Sequence, residues 1–273
     1  MKQNVMNEKD LQRIKELRLM DDDFFSEALD GKVEAVEYIL NTILERADIK
    51  VKSTKAQVEY KSATKRSITL DIQAEDADGK LVDIEIQRSD KGAGVRRARY
   101  HSSMIDRTIL SKGEDFEDLV DTYVIFITEN DKYGKGIPLY HVERKITELN
   151  DELFGDGAHI LYVNGEYRDM EHPVGSLMHD FNCKDAKDMV NPLLAEEVRY
   201  LKETEGGQKQ MCRLLEEMRE EAAAEARAEG KEEGKASDAI KMLTKGYPVE
   251  EIMEITDLPL EDVQKLAQGL KQR

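Results

Sequence analysis

Two carboxylates, Asp71 and Glu85, and the amide of Gln87 can be gathered at one spot by a single hairpin. The segment from Ser67 to Arg88, SITLDIQAEDADGKLVDIEIQR, reads as two antiparallel strands around Asp76-Ala77-Asp78-Gly79. Asp at the first position and Gly at the fourth suit a type I turn. A Gly there takes the left-handed conformation and closes a three-residue loop with a bulge. That loop sets Asp76 against Lys80. Leu70 then opposes Ile86, Ile72 opposes Ile84 and Ala74 opposes Val82 on one apolar face. On the other face Asp71 opposes Glu85, Gln73 opposes Asp83 and Thr69 opposes Gln87. A two-residue Asp-Gly loop would instead set Ile72 against Glu85. A slip of one residue carries an apolar set to the wrong face, which favours the first register.

Like charges directly opposite one another destabilise a sheet. Keeping Asp71 against Glu85 therefore calls for a gain, and the simplest is a divalent cation. Mg²⁺ is commonly held by one or two carboxylates with waters and phosphate oxygens. A solvated polar face carries such pairs with no function at all, so the hairpin alone leaves both readings open.

The order Asp71, hairpin, Glu85-Ile86-Gln87 resembles the D…(D/E)xK signature of the PD-(D/E)XK nuclease superfamily, with Gln in place of Lys. The longer text is similar to the recombination-promoting nuclease and putative transposase family. The matching segments are LRLMDDDFF (Leu17–Phe25), Leu70–Asp106, GEDFEDLVDTYVIFITEND (Gly113–Asp131) and LYHVERKI (Leu139–Ile146). FGDGAHILYVNGEYRD (Phe154–Asp169) and LMHDFNCKDAKDM (Leu177–Met189) follow in order. The short motif is weakly specific, whereas the ordered series is strongly so. The resemblance implies an α/β fold with a restriction-endonuclease-like core: helix, three strands, helix, strand. It implies metal-assisted hydrolysis of DNA phosphodiesters. Asp71, Glu85 and the backbone carbonyl of Ile86 would hold Mg²⁺ or Mn²⁺, and Gln87 would stand beside the attacking water. Glutamine can hydrogen-bond a water but brings no charge. Arg96, Arg97 and Arg99 are candidates to replace it. Asp21, in the family's leading Asp-x-x-Phe pattern, could add an acidic group or simply cap a helix.

The formal net charge of the 273-residue chain is −17, which argues against a protein that coats nucleic acid non-specifically. The charge is uneven. Arg88, Lys91, Arg96, Arg97, Arg99, Arg107 and Lys112 face only Asp90 and Asp106 in the stretch after the motif. Contact with DNA phosphates, with Tyr100 beside the arginines, competes with a solvated helix face. Cys183 and Cys212 form neither a disulfide framework nor a zinc-ligand spacing. His159, His172 and His179 lie apart and show no ligand spacing. No stretch is apolar enough for a membrane span, and a reducing, cytoplasmic setting is expected.

These residues need a frame. Lys9 to Arg18 reads as a helix, and Val33, Val36, Ile39, Leu40, Ile43 and Leu44 follow helical spacing. Ile49 to Tyr60 suits a first strand, Gly92 to Lys112 a helix, and the apolar Thr122–Thr128 a strand buried on both faces. Residues 137–146 and 158–163 read as strands; 174–181 and 190–204 as helices. Residues 1–205 are expected to form the nuclease-like domain. Residues 206–235, rich in Ala, Glu and Arg, form a charged helical arm or linker. Residues 236–273 form a module of three short helices, suited to pairing of copies, docking, or helix-turn-helix DNA contact. The function expected is a Mg²⁺-dependent endonuclease of recombination or mobile-element type. The alternatives are a nuclease fold acting as a binding module, and an assembly protein driven by the helical third.

Overall fold

The computed structural model describes residues 7–60, 68–77, 79–87 and 92–271. Arg88, Asp90 and Lys91 of the basic run, Asp78 of the turn and the side chain of Gln87 lie outside the described residues.

Three helices lead the chain: α1 (Glu8–Glu16), α2 (Asp22–Leu29) and α3 (Val33–Ile43). The strands β1 (Val51–Tyr60), β2 (Ile68–Asp76) and β3 (Leu81–Gln87) follow, then helix α4 (Val95–Ile109) and strand β4 (Thr122–Thr128). Next come β5 (Leu139–Val142), the short pair β6 (Lys145–Ile146) and β7 (Glu152–Leu153), and β8 (Ala158–Asn164). The main sheet is mixed, in the order β1-β2-β3-β4-β8-β5. β1, β2 and β3 run antiparallel, β3-β4-β8 parallel, and β5 antiparallel to β8. The sequence expects one strand over residues 137–146; β5 ends at Val142 and β6 joins β7 in a separate ribbon.

The turn chemistry fixes the hairpin. Gly79 has φ 82° and donates to the Asp76 carbonyl, while the Asp76 N–H reaches the Lys80 carbonyl at 3.0 Å. The ladder then pairs Ala74 with Val82, Gln73 with Asp83 and Ile72 with Ile84, as the three-residue loop requires. It goes no further. On the β1 side, the register would set Gln57 against Asp71, but Gln57 has φ 50° and drops out of the ladder. Beyond that break Leu70 joins the apolar cluster under α4 with Phe126, Val124 and Ala98. The expected single apolar face, Leu70 together with Ile72 and Ala74, therefore changes phase at Asp71.

α4 packs across β4 and β8. Its buried residues Ala98, His101, Ser102 and Ile105 recur at helical spacing. α2 lies against β1, β2 and β3, and α3 against β1. With both faces covered, Ile72, Ile84, Ile86, Ile125 and Ile127 are fully buried, as are Val124 and Phe126.

Helices α5 (Pro173–Asn182) and α6 (Pro192–Glu203) complete the first of two compact units, residues 1–212; the second is residues 213–273. The arm and the first tail stripe are one 40-residue helix, α7 (Glu205–Thr244), rather than separate pieces. No proline lies within it, and Ala, Glu, Lys and Arg all favour helix. α8 (Val249–Thr256) and α9 (Leu260–Lys271) follow. Ala239, Ile252, Leu258 and Val263 make the core of this second unit.

Candidate active site

Where the β2–β3 ladder ends, side chains replace backbone bonds. The Asp71 N–H donates to Glu85 Oε1 at 3.1 Å. The Ile86 N–H donates to Asp71 Oδ2 at 2.9 Å. The N–H and C=O of one strand residue leave on the same side, so the Ile86 carbonyl also points towards Asp71. Asp71, Glu85 and the Ile86 backbone are thus brought together. Around Asp71, Ser26 of α2 donates to its carbonyl at 3.4 Å, and Gln57 donates to the Ser26 hydroxyl at 2.8 Å.

Glu85 is fully buried, and so is Asp83 two residues before it. Both face α4, because their parallel partners on β4, Phe126 and Val124, sit in the α4 cluster. Three carboxyl groups therefore crowd one low-dielectric place. Burial pushes the Asp71 carboxyl well above its ordinary range, and the charges of Glu85 and then Asp22 push it further. Burial also raises Glu85, followed by the charge of Asp83, while Arg97 acts in the opposite sense. Asp83 rises for the same first reason, with Asp71 next. Its Oδ1 has no hydrogen-bond partner.

Two side chains from α4 meet these acids. Arg97 Nη2 donates to Glu85 Oε2 at 2.7 Å. His101 Nδ1 lies 3.1 Å from Asp83 Oδ2 and 3.7 Å from Glu85 Oε1. The guanidinium also stands 6.0 Å from the centre of the Phe126 ring. Sequence reasoning does not single out Asp83 and His101. Asp83 stood on the right face of the hairpin, and Arg97 and His101 are one helical turn apart. What the text did not carry is which strand that turn would meet.

The other candidates are spread out. Arg96 and Arg99 are exposed on α4, while Tyr100 is half-buried and packs on the α4 cluster. Asp21 occupies the N-cap position of α2 without a cap bond, and its carboxylate accepts the Arg18 N–H at 2.7 Å. Its neighbour Asp22 is the acid whose charge reaches Asp71.

The donor set suits a hard divalent cation: carboxylate oxygens, one orphaned buried oxygen and excess negative charge. A buried polar atom without a partner is costly, and a cation among these oxygens would lower that cost.

The sequence model of the family described as PD-(D/E)XK nuclease family transposase matches residues 23–243. No curated protein and no solved structure gives a significant match.

Proposed function

The chain belongs to the PD-(D/E)XK nuclease transposase family, and from that premise we propose that it is a divalent-metal-dependent DNA endonuclease of recombination or mobile-element type. The observation that carries the reading is the exchange of hydrogen bonds at the point where two strands part: the Asp71 N–H donates to the Glu85 carboxylate and the Ile86 N–H to the Asp71 carboxylate. Asp71, Glu85 and the Ile86 carbonyl would hold Mg²⁺ or Mn²⁺. When bound, the cation supplies Lewis acidity and offsets charge on the scissile phosphate. The Asp71 N–H holds the Glu85 carboxylate and the Ile86 N–H holds the Asp71 carboxylate, so little reorganisation is left for the moment of reaction. Gln87 would orient the attacking water by hydrogen bonding. Exposed Arg96 and Arg99 on α4, with half-buried Tyr100 beside them in sequence, would meet DNA phosphates. Few cations lie on α9, so we assign the second unit to docking or pairing of copies rather than to DNA.

The test is nicking of supercoiled plasmid by the full chain with Mg²⁺ and with EDTA, wild type beside Asp71→Ala. Nicking that needs Mg²⁺ and vanishes in the variant supports the reading. Absent nicking, or equal nicking by the variant, removes it and leaves a nuclease fold used for binding.

A further inference from the structure

A guanidinium already stands at the edge of the carboxylate pair, and its anchoring explains why. Arg97 Nε donates to His101 Nε2 at 3.1 Å, Nη1 to the Gly92 carbonyl at 3.4 Å and Nη2 to Glu85 Oε2 at 2.7 Å. An arginine Nε always carries its hydrogen. His101 Nε2 must therefore be the acceptor, and the ring hydrogen belongs on Nδ1. That atom lies 3.1 Å from Asp83 Oδ2, which makes Asp83 the acceptor at the far end. Donor and acceptor chemistry alone sets the order Asp83–His101–Arg97–Glu85.

Burial along this chain is graded. The Asp83 and His101 side chains are 0% and 2% exposed, whereas Arg97 is 39% exposed. Buried polar groups are costly unless hydrogen-bonded, and a bonded network is rigid. Here they hold one half-open cation against a carboxylate that would ligate metal. A half-exposed guanidinium fixed in plane presents positive charge to phosphate, and residue 87 is a glutamine, which carries no charge.

We propose that Arg97 is the phosphate-facing cation of this site, filling the charge role that Gln87 cannot, and that Asp83 and His101 are positioning residues that hold its guanidinium. The inference rests on the nuclease reading above. Charge that grows on the phosphate during hydrolysis would meet a donor set whose orientation is already fixed.

The experiment uses the full chain, with Mn²⁺ titration by calorimetry and plasmid nicking in parallel. Arg97→Gln is expected to slow nicking about 100-fold while Mn²⁺ affinity stays within about threefold of wild type. Adding Gln87→Lys to Arg97→Gln is expected to recover about tenfold of the lost rate. His101→Gln keeps an oxygen that accepts from Arg97 Nε, so it should outpace His101→Phe, with the difference in kcat rather than KM. Arg97→Lys keeps charge but loses the fork, and its rate should fall between wild type and Arg97→Gln. Mn²⁺ affinity falling in proportion to rate in Arg97→Gln would overturn the proposal, since Arg97 would then only shape Glu85. So would no recovery from Gln87→Lys, equal losses in the two His101 variants, or an Arg97→Lys enzyme as dead as Asp71→Ala. Failure of wild type to nick, or nicking by Asp71→Ala, strikes the nuclease reading instead.

Discussion

Two clusters, one around His101 and one around His179, each bring three potential ligand atoms within 4.8 Å of one another. They differ in what already holds the carboxylate. At His179 the neighbouring Asp180 is fully buried, and both its oxygens accept backbone N–H groups, from Val190 at 2.7 Å and Asn191 at 2.8 Å. Asn191 in turn caps α6 through the Leu193 and Leu194 N–H groups. Asp180 is therefore a clamp on the loop that starts a helix. At His101 the equally buried Asp83 has one oxygen on the imidazole and no partner on Oδ1. Beside it Asp71 and Glu85 add two more carboxyl groups, both pushed up by burial. Closeness of ligand atoms is common to both clusters. Saturation by backbone donors makes one of them structural, and unsaturated carboxyl groups make the other the place where we propose that a cation binds.

Single substitutions should pull the two clusters apart in opposite observables. Asp71→Asn is expected to weaken Mn²⁺ binding by about 100-fold or more, because one of the two proposed carboxylate ligands is gone. Asp180→Ala should leave Mn²⁺ affinity intact and instead lower stability by about 3 kcal/mol, since two buried N–H groups lose a charged acceptor. For a chain of this size that is a fall of several degrees in Tm. Calorimetry and thermal melting read the two separately. A metal-blind Asp71→Asn, or an Asp180→Ala that loses metal without losing stability, would break the distinction.

Acidity gives a second, smaller contrast. Asp71 and Glu85 are raised in the fold, to about 8, by burial and by each other or Asp83. Below the ordinary carboxyl range near pH 4, both folded and unfolded chains are protonated there. As pH rises past that range the unfolded chain gives up these protons while the fold retains them, so stability drops. The loss should be complete as pH passes about 8, where the folded groups also ionise. Metal-free protein should therefore melt a few degrees lower at pH 8 than at pH 5. Mn²⁺ should flatten that slope, and Asp71→Asn should flatten it without metal and melt above wild type at pH 8. A melting temperature that climbs with pH would contradict the burial of the acids.

The part of this site that the sequence discloses is the part set by local chemistry. Asp76 and Gly79 dictate the loop, the loop dictates the register, and the register puts Asp71, Asp83 and Glu85 on related positions. The apolar run Thr122–Thr128 is likewise strand from end to end. What stays hidden depends on meetings between distant segments. The change of phase at Asp71 lies opposite Gln57, a residue with φ 50° on another strand. The role of His101 depends on α4 crossing above β3's neighbour β4, where Phe126 lies under it with ring centres 6.0 Å apart. The length of α7 was obscured for a different reason: a run with few apolar anchors has no period to read, although its helix propensity is high.

The smallest expected effect belongs to the third member of the His179 cluster. Cys183 Sγ lies 3.7 Å from His179 Nδ1, and its thiol reaches the Asp188 carbonyl at 3.6 Å. Burial raises its pKa, and the charges of Asp180, Asp188 and Asp185 raise it further. A thiol so placed stays protonated at neutral pH, and the thiolate is the form that binds metal or attacks an alkylating reagent. Asp180, the only carboxylate in that group, is taken by backbone donors. Cys183→Ser should therefore change Mn²⁺ affinity, Zn²⁺ affinity and nicking by no more than about twofold. The native thiol should react with iodoacetamide more slowly at pH 7 than a free cysteine, and the rate should climb as pH is raised. A fast-reacting Cys183, or Zn²⁺ bound tightly by wild type and lost in Cys183→Ser, would mean that saturation of Asp180 does not disarm the cluster. The contrast between the two histidines would then have to rest on something other than who holds the carboxylate.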